Sequence, residues 1–348
     1  MHDRHAHHKQ RFQSFRSALY DIEPGALKAT LGALFAPDAI IHMPTPFPLM
    51  HGAENLVEHV YQPLINAIPD VERRDFIVMA GESSGQDWIG CAGHYIGVFE
   101  NPWLDIPPTQ QAVAMRYHEF FRMEDDRIVE MQALWDIPQV MMQAHAWPMS
   151  PSLGQEWLAP APATSDGIVP PPYDSQQSQA SVALVLAMLQ GLGRSTEGVH
   201  AMELERYWHP KMNWYGPAGI GTARRLSGFR LWHQIPFLNG MPDRQNILEN
   251  GALFGDGDYV GFTAFPGMAM TISHTGWLGI APANQRITMR SLDFWRCENN
   301  LIRENWVLVD LLHVYEQIGV DVFARMRELT FARQPGSHLH RQAFHEQP

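Results

Sequence analysis

Two apolar stretches of this 348-residue chain each carry a carboxylate at a matching position. Along residues 287 to 297, period-two alternation puts Met289, Ser291, Asp293 and Trp295 on one strand face. A carboxyl in such apolar company should have a raised pKa, fit for a general acid or for a donor to a developing oxyanion. The matching carboxylate earlier in the chain is Glu119. His274 and His94 occupy comparable places before these strands, where an imidazole facing an apolar pocket shuttles protons near neutral pH. We therefore expect His274 as proton shuttle and Asp293 as acid or oxyanion donor. The competing readings are a core histidine satisfied by a backbone carbonyl, and an ion pair of Asp293 with Arg290 or Arg296.

Other residues are expected to shape the site. Trp214, Tyr215 and His233, with Trp295, should contact the substrate, and Asn305 should orient its carbonyl or else be a satisfied core amide. A second candidate site in the first half comprises His42, His94, Glu119 and Trp135, with His59 nearby. Arg290 and Arg116 fall on the strand face opposite the carboxylates, which predicts rim or interface positions. Asp310 and Asp136 each begin a short helix, the second with proline in its first turn, and are expected to be N-caps.

Several strings are set aside. Gly216-Pro-Ala-Gly219-Ile-Gly221 has the wrong glycine order for a dinucleotide fingerprint, and Gly191-Leu-Gly193-Arg-Ser-Thr lacks the P-loop lysine. The terminal histidines (His2, His5, His7, His8; His338, His340, His345) sit in polar tails without structural-site spacing. No required metal and no cofactor are expected.

The elements that must position these residues come as a repeat. Residues 113–139 match 287–313, with Met115-Arg116 against Met289-Arg290 at a spacing of 174 residues (290 − 116). Pro69-Asp70 matches Pro242-Asp243 at 173. Each half reads as a helical stretch (11–35; 180–207), a short strand, a second helix (54–68; 228–240) closed by a Pro-Asp turn, and then a run of strands. The strands are predicted at 75–80, 87–99, 112–123 and 127–135, and at 246–254, 258–278, 286–297 and 301–309. Helices first and antiparallel strands after predict two α+β units at 10–145 and 181–330, each a curved sheet wrapped around its helices. Residues 146–180 read as a Pro/Ser/Gln-rich linker whose tryptophans dock on a unit surface, and 331–348 as a polar tail.

A net charge of −12 repels phosphate backbones and anionic membrane surfaces, so neither nucleic acid nor membrane is an expected partner. Cys91 and Cys297 imply no disulfide framework, and no 18-residue apolar run occurs, so a cytoplasmic location is expected.

The string from 273 to 323 (SHTGWLGIAPANQRITMRSLDFWRCENNLIRENWVLVDLLHVYEQIGVDVF) resembles the SnoaL-like polyketide cyclase and ester cyclase family of the NTF2-like superfamily. GHYIG, DIPPTQ and RYHEFFRMEDDRIVEMQALWD resemble it more loosely in the first half. The resemblance implies two tandem NTF2-like (cystatin-like) units, packed sheet to sheet as an internal pseudo-dimer, with room for a further homodimer. It also implies a cofactor-independent acid/base enzyme, a cyclase, isomerase or related lyase or hydrolase, acting on a small carbonyl-containing or polyketide-like molecule. The alternative is a non-catalytic module binding a small apolar ligand. Where the cyclase pattern reads Glu-His-Trp-Asp, this chain has Glu304-Asn305-Trp306-Val307 and Glu130-Met131-Gln132-Ala133. Met43 and Gly216 stand where the related ketosteroid isomerases carry a general-base Asp.

Overall fold

The computed structural model describes residues 3–247 and 251–333. In the first unit, helices Arg4–Tyr20 and Pro24–Leu34 precede β1 (Phe35–His42) and β2 (Met50–His51); a bent helix follows, then β3 (Glu72–Ser83), β4 (Gln86–Val98), β5 (Ala112–Glu124) and β6 (Arg127–Trp135). The strand order is β2-β1-β6-β5-β4-β3, with β1 parallel to β6 and the other neighbours antiparallel. The second unit repeats this plan after helix Ser175–Leu192. Its strands are β7 (Trp208–Tyr215), β8 (Ala223–Arg224), β9 (Gln245–Asn246), β10 (Gly251–Asp256), β11 (Tyr259–Ile272), β12 (Gln285–Glu298) and β13 (Leu301–Val309), in the order β10-β11-β12-β13-β7-β8 with β9 on β11. Both units are thus α+β, each a mixed sheet with helices.

The first helix begins at Arg4 rather than near residue 11, because Asp3 caps it by accepting from the Ala6 backbone N–H at 2.9 Å. The N-terminal histidines are therefore structured, contrary to the polar-tail expectation. His5 is buried beside Tyr173, His7 reaches Asp126 and His8 reaches Asp87. His2, His338, His340 and His345 lie outside the described residues.

The middle helix of each unit contains one π turn, Val57–Tyr61 and Arg230–Gln234, in the residues just ahead of Pro63 and Pro236. Proline has no N–H to donate and its ring collides with the carbonyl four residues back. That carbonyl belongs to His59 or Trp232, inside the π turn, and the widened turn relieves the clash.

The two sheets pack against each other through the faces that carry Arg116, His118 and Phe120 on β5 and Leu292 and Phe294 on β12. Phe120 and Phe294, 174 residues apart, stack with ring centroids 4.8 Å apart and planes 15° apart. Glycine makes the stack fit. Gly90 pairs with Phe120 and Gly261 with Phe294, and a Cβ on Gly90 would meet Phe294 Cε1 at 2.9 Å, one on Gly261 Phe120 Cε1 at 2.9 Å. Gly90→Val is accordingly expected to destabilise the protein by about 1–3 kcal/mol through overpacking. Chemical denaturation measures this, and an unchanged midpoint would mean the rings separate freely.

Reciprocal clasps flank the stack. Asp136 and Asp310 are N-caps as expected, accepting from the Gln139 and His313 N–H groups. Each also crosses to the other unit, Asp136 Oδ2 accepting from Ala218 N and Asp310 Oδ2 from Thr45 N, both at 3.0 Å. Burial pushes the Asp136 carboxyl up to about 6. Arg116 donates across the interface to the carbonyls of Tyr215, Gly216 and Val307, while Arg290 holds Asp310 at 2.9 Å. Arg116 is thus an interface residue, and Arg290 orients the Asp310 clasp from within its own unit.

The segment between the units docks on both. Val78 N donates to Gly167 O at 2.8 Å, Gly154 N to Ile220 O at 2.9 Å, and Trp306 Nε1 to Pro160 O at 2.9 Å. Among the described residues, no helix is long and apolar enough to cross a membrane.

Candidate active site

The interior of the second unit holds a cavity of about 140 Å³, walled by helix Ser175–Leu192, the bent helix 225–240 and the inward faces of β11, β12 and β13. Its lining is largely aromatic and aliphatic, with Trp208, Trp214, Phe229, Phe237, Phe262 and Trp295 prominent. Alternation along β12 brings Ser291, Asp293 and Trp295 inward while Leu292 and Phe294 face the other sheet.

Asp293 is 8% exposed and has no ion-pair partner among the described residues; Ser291 Oγ donates to its Oδ2 at 2.6 Å. Burial pushes its carboxyl up to about 7, the Ser291 and Asn305 side chains and the charge of Arg244 pulling back only in part. The structural ion pair considered for Asp293 is not made: Arg290 pairs with Asp310, and Arg296 with Glu304 and Glu298. Asn305 lines the cavity and donates from Nδ2 to the Phe294 carbonyl at 3.0 Å. His233 stacks on Trp214 at 4.1 Å, and burial lowers it to about 3, so its ring is neutral in the physiological range.

Five buried polar atoms of the lining have no hydrogen-bond partner among the described residues: Ser195 Oγ, Trp208 Nε1, His233 Nδ1, Gln234 Oε1 and Trp295 Nε1. Buried polar groups are otherwise nearly always paired, so this concentration suits a polar guest.

Two residues expected at this site lie elsewhere. His274 is exposed in the turn after β11, bonded through Nδ1 to Ser273 Oγ at 2.9 Å. The loop Ser273 to Ile280 corresponds to residues 99–106 rather than to the strand of His94. The bridges Trp277–Ile280 and Trp103–Ile106, with Leu278 and Leu104 at φ 50° and 51°, fix that correspondence. Tyr215 is buried between the units, its hydroxyl donating to Glu304 at 3.2 Å.

The four residues of the second candidate site do not converge. Glu119 and Trp135 do face the first unit's interior, but Arg73 Nη1 donates to Glu119 Oε2 at 2.6 Å, and Trp135 Nε1 (2.9 Å) and the Tyr95 hydroxyl (3.2 Å) donate to Oε1. The Arg73 guanidinium lies 4.1 Å from the Tyr117 ring centre and donates through Nε to Asp75, so both its charge and its donors are engaged inside the unit. His94 points away from it, on the strand face that meets the other unit, beside Phe76 and lowered to about 3 by burial and by Arg116. His42 contacts Phe265 of the second unit at 5.5 Å, and His59 is exposed.

Sequence reasoning missed Arg244, Ser291 as a direct partner of Asp293, and Gln234. Arg244 left one trace: it follows the Pro242-Asp243 turn, as Arg73 follows Pro69-Asp70. Among the described residues no three His, Cys, Asp or Glu side chains converge as a metal cage would require.

The pattern of SnoaL-like polyketide cyclases matches residues 12–144 and 199–318, once in each unit. The chain belongs to the SnoaL-like polyketide cyclase family. Solved structures similar to single units of this SnoaL-like chain include TsrD from Streptomyces laurentii, 17% identical, covering 41% of this chain and 98% of that one, TM-score 0.34. A Catenulispora acidiphila protein with a ketosteroid isomerase-like fold is 20% identical over 39% of this chain and 92% of its own, TM-score 0.31. An NTF2-like protein from Burkholderia thailandensis is 20% identical over 40% and 96%, TM-score 0.31. No curated protein matches the chain. Val307, standing where the cyclase pattern has Asp, lines the cavity, so that pattern position does face the site but brings no carboxyl to it.

Proposed function

We propose that the second unit performs cofactor-independent acid/base chemistry on a small carbonyl compound, as a cyclase or isomerase, with Asp293 carrying the proton. The observation behind this reading is a buried, unpaired carboxyl held at about 7 on the wall of an open cavity. Near neutral pH such a group is present in both forms and can take and return a proton. Ionised Asp293 takes the proton from the carbon beside the carbonyl, and the C–H electron pair moves onto the carbonyl oxygen. The unpartnered Trp295 Nε1 is the donor available to that enolate. Reprotonation at another carbon completes an isomerisation; attack of the enolate carbon on a second carbonyl of the same molecule closes a ring, and the alkoxide so formed takes the proton back from Asp293.

One observation favours a second reading, a binding module: the family's carboxylate position is Val307. Incubating the purified protein with a metabolite extract and reading depletion by untargeted mass spectrometry separates the two. Wild-type protein should consume a compound that Asp293→Asn leaves intact, with a product of unchanged mass. His274→Ala, altering an exposed turn, should consume it at the wild-type rate. Co-purification of one compound with both wild type and Asp293→Asn, and consumption by neither, makes the protein a binder.

A further inference from the structure

We propose that the second unit's cavity selects a carboxylate-bearing guest, and that Arg244 is the residue that pairs with it. This rests on the cavity being the working site, as argued above, and adds the charge of what enters it.

Arg244 lines the cavity, and its partners among the described residues are neutral: Nε to Met268 Sδ at 3.3 Å and Nη2 to Asn246 Oδ1 at 2.5 Å. Arg244 is half-buried, and the loss of water around its guanidinium without a counter-ion lowers it to about 10, still charged at physiological pH. A thioether and an amide do not offset the charge. The neighbouring carboxyl, Asp293, is turned to Ser291 instead and is largely protonated below pH 7.

The first unit displays the closed form of the same arrangement. Glu119 and Asp293 are equivalent on their strands, 174 residues apart, and each unit sends one arginine from the segment after its Pro-Asp turn into the interior. There Arg73 and Glu119 meet at 2.6 Å, so cation and carboxylate satisfy each other. In the second unit the cation and the carboxyl face a shared cavity without pairing, and an anionic oxygen from outside completes the cation's coordination. A guanidinium fork suits a carboxylate, giving two parallel hydrogen bonds. The cavity of about 140 Å³ resembles in size the roughly 150 Å³ space that accepts benzene, so the guest's apolar body is about one ring.

Calorimetric titration with phenylacetate, phenylacetamide and methyl phenylacetate at pH 6 tests this. Asp293, Arg244 and His233 are the titratable groups of the described lining; at pH 6 Asp293 is mostly neutral, His233 neutral and Arg244 charged. Phenylacetate should bind wild type at least about tenfold more tightly than either neutral analogue. Arg244→Gln should erase that preference while still binding the neutral analogues, and Arg244→Lys, keeping the charge without the fork, should keep part of it. Equal affinity for all three probes, no binding of phenylacetate, or an undiminished preference in Arg244→Gln overturns the proposal. Anion preference without turnover in the metabolite assay would sink the catalytic reading and leave the anion site standing; turnover without anion preference does the reverse.

Discussion

Asp293→Asn is expected to lose about 10²–10⁴-fold of turnover while becoming more resistant to heat than the wild type above pH 7. The stability effect follows from linkage. The folded protein holds the Asp293 proton up to about 7, whereas the unfolded chain releases it near 3.9. A group whose folded pKa is raised contributes its full stability below the unfolded value, and that contribution is lost as pH rises through the folded value. A gap of about three pK units corresponds to a penalty on the order of 4 kcal/mol at pH 8, paid in the ionised state for burying an unpaired carboxylate. Asparagine is neutral throughout and escapes it. Melting curves of both proteins from pH 4 to 9 should therefore diverge as pH rises and converge near pH 4. Parallel curves would mean that Asp293 ionises as freely in the folded protein as in the unfolded chain. The acid/base assignment would then fall.

The second large effect concerns the first unit. Arg73→Met removes the cation that neutralises Glu119 and also bonds Asp75, leaving buried carboxylates undercompensated. Removing one partner of a buried pair costs about 3–5 kcal/mol, and at a few degrees per kcal/mol the melting temperature should fall by roughly 6–20 °C. Arg73→Met with Glu119→Gln should recover much of the loss, since the stranded charge goes with its partner. Asp75 stays held by Arg16 at 2.8 Å and by the Tyr117 hydroxyl at 2.7 Å. Calorimetry on the two single variants and the double variant gives the coupling directly. If Arg73→Met alone melts with the wild type, water reaches the first unit's interior and the contrast between a paired and an unpaired interior is lost.

The inward set on β12 was legible because alternation is local: any strand through Met289, Ser291, Asp293 and Trp295 must show those four side chains to one face. Asp136 and Asp310 were legible as caps for a similar reason, since a cap reaches only to the N–H three residues on. Their second role, holding Ala218 and Thr45 of the opposite unit, involves partners 82 and 265 residues away and left no local mark. His274 and His94 share a similar sequence context, SHTG and GHYIG, but not a place in the fold. The turn around Trp277, matching that around Trp103, shows instead that His274 stands at the place of Glu100.

By itself the sequence determined that one α+β plan occurs twice, through its self-similarity at a spacing of 174, and, through local alternation and capping, which carboxylate each unit turns inward and which Asp begins each short terminal helix. The tertiary structure alone decided in which unit arginine and carboxylate pair. Both interiors receive an arginine and a carboxylate. Whether these meet at 2.6 Å, as Arg73 and Glu119 do, or leave space between them, as Arg244 and Asp293 do, depends on how distant helices and strands pack around the pair.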